Sequence, residues 1–248
     1  MSLVTNTGKY AYRNTAIVPA PKSGFSMFAW VQRTASSSGY ALHYNNPAVA
    51  TANTTWMIGI RGNVSAIVGR HADDINGDIT PTGTNSYSIN TWATIAMTMG
   101  PSLTSVYING SANKASSAST TIDFSVTSPD CFTLATAMTE LPSTVSGTHP
   151  GLIAHVAVWD VQLSDAEIDS LNAGANPLAI QGSHLKAYWP LGDAGGGTPD
   201  LTDYSGNGYT LTNVTGTYSA TEPTVDAPPS GSVAPVVAYY AQMLARNA

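Results

Sequence analysis

The chain has 248 residues and a formal net charge of −6, and charged residues make up only 10% of it. Its nine lysines and arginines are never adjacent, which excludes the clustered positive charge that nucleic-acid binding requires. No run of 18 apolar residues occurs, so the sequence predicts no membrane-spanning helix and no membrane partner.

The chain begins MSLVTNTGKYAY, which lacks the charged segment and apolar run of a signal peptide. We therefore expect the protein to be made and folded in a cytosol, unless its targeting information lies elsewhere. Cys131 is the only cysteine, so an intrachain disulfide is impossible, and a buried core position is its expected role.

Alternation of apolar and polar residues predicts about ten to twelve short strands separated by Asn, Gly and Thr turns. Asn109-Gly110 is a strong hairpin signal. The main predicted strands are 25–31, 41–44, 56–60, 64–68, 91–99, 105–108, 132–134, 152–159, 185–191 and 209–214. Short strands at this spacing predict an antiparallel sandwich or jelly roll.

One helix is predicted, over residues 165–172. Ser164 is placed as its N-cap and Glu167 three residues later, which is the pattern of a capping box. Leu163 and Ile168 have the spacing of a hydrophobic staple, and Gly174 is expected to end the helix in left-handed geometry.

Four stretches in this order resemble the laminin-G-like jelly roll, a concanavalin-A-like sandwich: FSMFAWV, NTWATIAMT with SVYING, GLIAHVAVWDVQLSDAEIDSL, and KAYWPLGDAGGGTPDLTDYSGNGYTLTNV. The positions that match are Trp92, Tyr107, Asn109, Gly110, Gly151, Ile153, Val156, Val158, Trp159, Leu163, Ser164, Glu167 and Ile168. The resemblance implies an all-β jelly-roll sandwich over residues 1–219 whose short helix closes one end. The Tyr-Trp-Pro-Leu unit often opens such domains but here follows the helix, as in a permuted order.

The end of the chain differs in composition. Residues 220–235 contain repeated prolines and predict an extended linker. Residues 236–248 are apolar again and predict a docking or oligomer contact. The contact residues expected there are Val236, Val237, Tyr239, Tyr240, Met243 and Leu244. A homo-oligomer is expected, and a trimer only by analogy with capsid proteins.

Catalytic and metal motifs are sparse. A glycosidase needs two nearby carboxyl groups, but none of the three glutamates, Glu140, Glu167 and Glu222, has a second acid beside it on a strand face. The histidines lack the spacing of a transition-metal site. We therefore expect no enzyme activity and no cofactor other than a possible calcium ion.

Two loops carry clustered oxygen atoms. Asp74, Asn76 and Asp78 alternate like the first calcium ligands of an EF-hand, but the following glycine is missing, and a turn with solvated acids is the favoured alternative. In the 202–210 loop, Asp203 is expected to form an Asx turn rather than a metal site.

A sugar-binding shelf is predicted from the side chains Tyr40, His43, Tyr44, Asn45 and Trp56, which combine aromatic rings with planar polar groups. The alternative is that these aromatic residues belong to the core, as alternating aromatics on a strand often do. The sequence alone leaves both open and favours the second.

Three functions follow. The leading hypothesis is a bacteriophage virion protein, such as a head-decoration, minor capsid or fibre subunit, which contacts itself and a major capsid or other virion protein. Three observations support this hypothesis: the resemblance to phage structural proteins with this jelly roll, the weakly charged surface, and the apolar tail. The alternative is a carbohydrate-binding, lectin-like module, with or without the assistance of calcium. An enzyme of the same fold is the least favoured.

Overall fold

A computed structural model of the chain describes residues 2–5, 9–17, 24–36, 39–45, 55–61, 66–73, 77–79, 87–118, 131–140, 144–195 and 198–228. Within strands β5, β6, β7, β12, β13 and β16, defined below, the description covers the backbone alone, and the same is true of Asn45.

The first half of the described chain contains ten strands. They are β1 (Ser2–Thr5), β2 (Tyr10–Arg13), β3 (Phe25–Arg33), β4 (Gly39–Asn45), β5 (Thr55–Arg61), β6 (Ala66–Asp73), β7 (Gly77–Ile79), β8 (Trp92–Met99), β9 (Leu103–Ile108) and β10 (Lys114–Ala118).

The second half contains nine strands and the helix α1 (Asp165–Asn172). The strands are β11 (Cys131–Leu134), β12 (Ala137–Glu140), β13 (Thr144–Ser146), β14 (Gly151–Trp159), β15 (Leu185–Trp189), β16 (Asp193–Gly195), β17 (Thr198–Pro199), β18 (Thr212–Val214) and β19 (Thr217–Ser219).

Two antiparallel sheets form the body of the described fold. The larger sheet has the order β10-β9-β8-β3-β14-β1-β19, and β15 also pairs with β14. The smaller sheet has the order β18-β2-β11-β4-β5-β6-β7. The predicted all-β jelly-roll sandwich with one short helix at 165–172 is confirmed.

The main core lies between the sheets, where inward residues alternate along each strand. Phe25, Met27 and Val31 of β3 are buried there. Phe132 of β11 stacks on Trp189 of β15 with ring centroids 5.2 Å apart. Full burial of each such side chain contributes roughly 1.5–3 kcal/mol of transfer free energy, so this layer supplies most of the driving force for folding.

A second apolar cluster lies on the outer face of the larger sheet, beneath α1. Phe28 of β3 and Trp159 of β14 pack there with Ile168 and Leu171 of the helix. Both faces of β3 and β14 are therefore covered, which explains why the sequences of these strands are apolar on both faces.

Both ends of α1 are closed by local hydrogen bonds. The Ser164 hydroxyl accepts from the Glu167 amide at 3.4 Å, and the Glu167 carboxylate accepts from the Ser164 amide at 2.8 Å, so the predicted capping box is confirmed. At the other end Gly174 has φ +102°, its amide donates to Leu171 O, and the Ala175 amide donates to Ser170 O. These are the two bonds of a Schellman motif.

The helix lies along the strands that it covers. Near its start, Asp165 accepts a hydrogen bond from Tyr107 of β9 at 2.9 Å. At its last residue, Asn172 accepts one from the Thr94 hydroxyl of β8 at 2.7 Å. The Asn109-Gly110 turn, with positive φ at both residues, joins β9 to a 3-10 turn beneath the helix and confirms the predicted hairpin.

Residues 220–228, which we name the strap, are extended but bound to the sandwich. Thr221 O accepts from the Ser2 hydroxyl at 2.7 Å, and Pro223 is buried. The Asp226 amide donates to Gly174 O at 2.7 Å, and Asp226 O accepts from Asn176. The predicted extended linker is thus bound to the sandwich over this part, which its composition does not indicate. The rest of the predicted linker and the 236–248 tail lie outside the described residues.

Candidate functional site

The ring of Tyr44 does not form an exposed shelf. It is fully buried in the main core, where it stacks on Phe25 at 5.8 Å and meets Phe132 edge-on. Its hydroxyl accepts a hydrogen bond from the Ile17 amide at 2.9 Å. For Tyr44 the favoured alternative, a core residue, is confirmed and the ligand platform is wrong, because Tyr44 lies on the inward face of β4.

His43 and Tyr40 lie near each other, with ring centroids 6.1 Å apart, but His43 is only 2% exposed. The segment around Gly147 packs directly on this part of β4, since the Tyr40 amide donates to Gly147 O at 2.6 Å. Tyr40 is half-buried as a result. The prediction of an open surface at His43 is also wrong.

The remaining predicted shelf residues are placed by their backbones. Asn45 is the ladder partner of Cys131 and Thr55, and Trp56 is the ladder partner of Tyr44. Their side chains lie outside the description, so the five predicted residues are not brought together as one described site.

The structure describes one residue of the predicted calcium loop and none of the predicted tail contacts. Asp78 lies in β7 opposite Ala72, whereas Asp74 and Asn76 lie outside the described residues. The tail contacts Val236, Val237, Tyr239, Tyr240, Met243 and Leu244 lie outside them as well. Within the described residues, no group of three His, Cys, Asp or Glu side chains is placed to hold a metal ion.

Asp203 confirms the Asx-turn interpretation of its loop. One carboxylate oxygen accepts from the amides of Ser205 and Tyr188, at 2.9 and 3.0 Å. The other accepts from the Ser205 hydroxyl and the Tyr209 amide, both at 2.9 Å. Protein donors thus satisfy the buried carboxylate, and its role is to hold the loop against β15.

An open depression of about 510 Å³ lies at the N-terminal end of α1. We name it the helix-end groove. Its lining is Tyr107, Lys114, Gln162, Leu163, Ser164, Asp165, Glu167 and Gln181. Most of these side chains are planar polar or charged groups, and they come from two strands, the loop before the helix, the helix and the segment that follows it.

Asp165 is the centre of one hydrogen-bond network in the groove. It accepts from the Lys114 ammonium at 2.9 Å and from the Tyr107 hydroxyl at 2.9 Å. The bond from Lys114, followed by that from Tyr107, lowers the pKa of Asp165 although its partial burial opposes this. Burial, together with the bond to Asp165, raises the pKa of Tyr107, and the Lys114 ammonium lies 5.5 Å from its ring centroid.

Glu167 is the centre of the second network. Besides its capping contacts, it accepts a hydrogen bond from the Gln181 amide at 2.5 Å. Burial acts to raise the pKa of Glu167, but the bonds from the Ser164 amide and from Gln181 outweigh it, and the pKa is lowered. Both groove carboxylates are therefore ionised at neutral pH.

Sequence reasoning did not identify this groove. Glu167 and Ser164 were assigned only to helix capping, and Lys114, Gln162 and Gln181 carried no motif. Lys114 and Asp165 are separated by 51 residues and meet only because the helix lies over the β9–β10 hairpin. No local pattern signals such a pair.

In the parts of the chain that the structure describes, no helix has the length and apolar character needed to cross a membrane.

A family model described as the concanavalin A-like lectin/glucanases superfamily matches residues 6–169. The chain belongs to this superfamily. The match covers more than half of the sequence and confirms the resemblance to the laminin-G-like jelly roll, while β15–β19 and the strap lie beyond it. No curated protein sequence matches the chain.

Solved structures from three sources share the superfamily fold. A Bacteroides ovatus ATCC 8483 protein named for carbohydrate binding is 18% identical, with a TM-score of 0.57 over 92% of this chain and 61% of its own. The Ruminococcus gnavus sialidase CBM40 bound to α2,6 sialyllactose is 14% identical, with a TM-score of 0.54 over 69% of this chain and 95% of its own.

The third is the full-length tailspike protein 2 of Escherichia coli O157:H7 bacteriophage CAB120. It is 13% identical, with a TM-score of 0.50 over 71% of this chain and 25% of its own. The chain thus spans a quarter of the tailspike and less than two thirds of the Bacteroides protein. At these identities the likeness concerns the fold alone.

Proposed function

We propose that the protein is a non-catalytic carbohydrate-binding module that binds glycans in the helix-end groove. The observation that carries this proposal is the lining of the groove, in which carboxylate, amide and ammonium groups converge on one open depression. Hydroxyl-rich ligands both donate and accept hydrogen bonds, and this set offers both kinds of partner.

The groove groups are held in place before a ligand arrives. Lys114 and Tyr107 orient the Asp165 carboxylate, while Ser164 and Gln181 orient Glu167. A carboxylate has about four lone-pair positions, so bonds from the protein leave capacity for sugar hydroxyls. Preorganised polar groups lose less entropy on binding and therefore support affinity in a shallow site.

The electrostatics of the two carboxylates favour binding over hydrolysis. A glycosidase of the usual kind needs one carboxyl group that is protonated at working pH, which requires a raised pKa. The pKa values of Asp165 and Glu167 are both lowered instead. Neither is suited to protonate a leaving sugar oxygen.

A glycan array probed with the full chain, followed by calorimetric titration of the best ligand, tests the proposal. Lys114→Met removes the ammonium that orients Asp165 and is expected to weaken binding at least tenfold. Lys186→Met is the matched control, because Lys186 also pairs with an aspartate, Asp160, and has a similar side-chain exposure of 28% against 27%. Absence of binding to every glycan, or equal effects of the two variants, would overturn the groove proposal.

Calcium assistance through Asp74, Asn76 and Asp78 belongs to the same proposal. Glycan affinity is measured in calcium and again in EDTA. A loss of affinity in EDTA that added calcium restores supports the assistance, and equal affinities exclude it.

A virion structural subunit is the second candidate function. The anchored strap favours it, because residues after 228 start from a fixed point beside the end of α1, which suits a contact segment. The proposed partners are further copies of the chain, a trimer by analogy, and a major capsid or other virion protein. Light scattering compares the mass of the full chain with that of a full-length Tyr240→Glu, Leu244→Glu variant. An oligomer that the two changes dissociate supports assembly through the tail. If both proteins are monomeric, assembly through the tail is excluded.

A further inference from the structure

One ladder row on the outer face of the larger sheet combines tryptophan with polar and aliphatic residues. Gln32 of β3 pairs with Trp92 of β8 on one side and with Leu152 of β14 on the other. Val4 of β1 pairs with Leu152 and with Thr217 of β19. We name these five residues the tryptophan row.

The row faces away from the main core. Its chain neighbours Val31, Ala93 and Ile153 are buried between the sheets, so the alternate residues project from the opposite face. Trp92, Gln32 and Val4 are partly exposed, Thr217 is exposed, and Leu152 is 8% exposed. The face is therefore accessible at Trp92, Gln32, Val4 and Thr217, whereas Leu152 between them is buried.

Trp30 extends the row. It lies two residues before Gln32 on β3 and is the ladder partner of Thr94, which places it diagonally beside Trp92. Its ring is also partly exposed and packs against the cluster beneath the helix. Two indole rings with an amide side chain between them therefore occupy neighbouring positions of one pleated surface.

The strap borders the row. It is bonded to Ser2 of β1 at one end and to Gly174 and Asn176 beyond α1 at the other. The helix end lies over β8, and β3 and β14 lie between β8 and β1 in the sheet. To join these two anchors, the strap must cross the outer face above β3 and β14, next to the row.

We propose that the tryptophan row binds the ring faces of a neutral oligosaccharide. The negative face of an indole ring attracts the weakly positive C–H groups of a pyranose ring. The Gln32 Nε2 donates to Asn90 O at 3.3 Å, and the Gln32 side-chain oxygen can accept hydrogen bonds from the sugar hydroxyls. The row and Trp30 contain no charged side chain, which matches an uncharged ligand. The row spans five strands spaced about 4.8 Å apart, about 19 Å in all, and its partly exposed end at Gln32 and Trp92 offers the ring contact.

This site is separate from the helix-end groove. The Thr98 hydroxyl of β8 lies 3.3 Å from the Tyr107 hydroxyl, at the groove end of the strand. Trp92 lies six residues earlier in the same strand, about 20 Å away along it. The inference goes beyond the proposed function, because the second site takes a neutral ligand and can exist whether or not the groove binds glycans.

Tryptophan fluorescence titration of the full chain with neutral hexasaccharides tests the inference, using linear β-1,4-glucan, α-1,4-glucan and β-1,4-xylan fragments as probes. We expect saturable binding of at least one probe. Trp92→Ala is expected to weaken it at least tenfold, and Gln32→Leu at least threefold. Lys186→Met, which lies outside both the row and the groove, is expected to leave it unchanged.

The matched control is Ile89→Ala, since Ile89 is an exposed apolar residue outside the row. Thermal unfolding of each variant checks that it is folded, and Gln32→Leu decides the result if Trp92→Ala is not. The inference is overturned if no neutral probe binds, if the folded row variants bind like wild type, or if Ile89→Ala has the same effect as they do.

Discussion

The imidazole Nδ1 of His155 lies 2.8 Å from the hydroxyl of Tyr188, and both side chains are buried. His155 has φ +49° and lies in a bulge of β14. On one edge of β14, β1 pairs as far as Ile153, and β15 takes over at Val156. His155 therefore lies where the partner of this edge of β14 changes from β1 to β15. The hydrogen bond between His155 and Tyr188 holds β15 at this point.

Two buried histidines should make stability fall in mild acid. Burial lowers the pKa of His155 to about 3 and that of His149 to about 4, with a further lowering of the latter by Arg33. Their neutral forms are favoured in the folded state, so their contribution to stability is complete above the unfolded pKa of about 6.5 and is lost as pH falls toward the folded values. Each histidine removes up to about 1.4 kcal/mol per pH unit in that window.

Urea unfolding between pH 7.5 and 5.0 measures this dependence. His149→Asn is expected to remove about half of the slope in that range. Thr202→Ala is the control, because Thr202 is exposed and its side chain does not titrate, so its slope should match wild type. Equal slopes for His149→Asn and wild type would contradict the assignment.

Loss of the capping box should weaken the attachment of α1. Ser164→Ala removes the acceptor for the Glu167 amide and is expected to lower the free energy of unfolding by about 1 kcal/mol. Ser170→Ala is the matched control, since Ser170 is exposed and its hydroxyl donates only to the carbonyl one turn earlier. Its effect should stay within about 0.5 kcal/mol in the same urea titrations.

The Asp203 carboxylate should stabilise the loop that packs on β15, so its replacement should lower the free energy of unfolding. In Asp203→Asn, one acceptor oxygen becomes an amide group, so two of the four donors bonded to the carboxylate lose their partner. The expected loss is about 2–3 kcal/mol of unfolding free energy. Thr202→Ala, an exposed change in the same loop, should cost less than about 0.5 kcal/mol; a similar loss for both would count against this role.

Gly151 should not tolerate a side chain. A Cβ at this position would lie 1.9 Å from the carbonyl oxygen of Gln32 in the neighbouring strand. Gly151→Ala must separate β14 from β3 and is expected to cost about 3 kcal/mol or more. At Gly182 the nearest atom to a Cβ is 3.5 Å away, so Gly182→Ala should be nearly neutral in thermal unfolding. Equal melting temperatures for the two variants would contradict the close contact between β14 and β3 at Gly151.

Features that depend on neighbouring residues were predicted from the sequence. The bounds of α1, its capping box and the turn at Gly174 follow from contacts within five residues, which a single stretch of sequence contains. Central strands such as β3 and β8 follow from their apolar residues, and the jelly roll follows from the order of the motifs. The short strands β1, β2 and β10 were missed, because four or five residues carry too little alternation to be recognised.

The sites depend on distant residues. Alternation with period two places Tyr44 and His43 on opposite faces of β4 but does not tell that contacts with distant residues bury both faces, so the predicted shelf is wrong and the favoured core alternative holds. The 220–228 strap has the composition of a linker, yet bonds to Ser2 and Gly174 hold it.

The sequence by itself thus determined the fold class and the helix, since these arise from local geometry and from the alternating pattern of burial. Only the tertiary structure decided the two surfaces that we propose as binding sites. The helix-end groove unites residues 107–181 because α1 docks over a hairpin, and the tryptophan row unites residues 4–217 because strands distant in the chain become neighbours in the larger sheet.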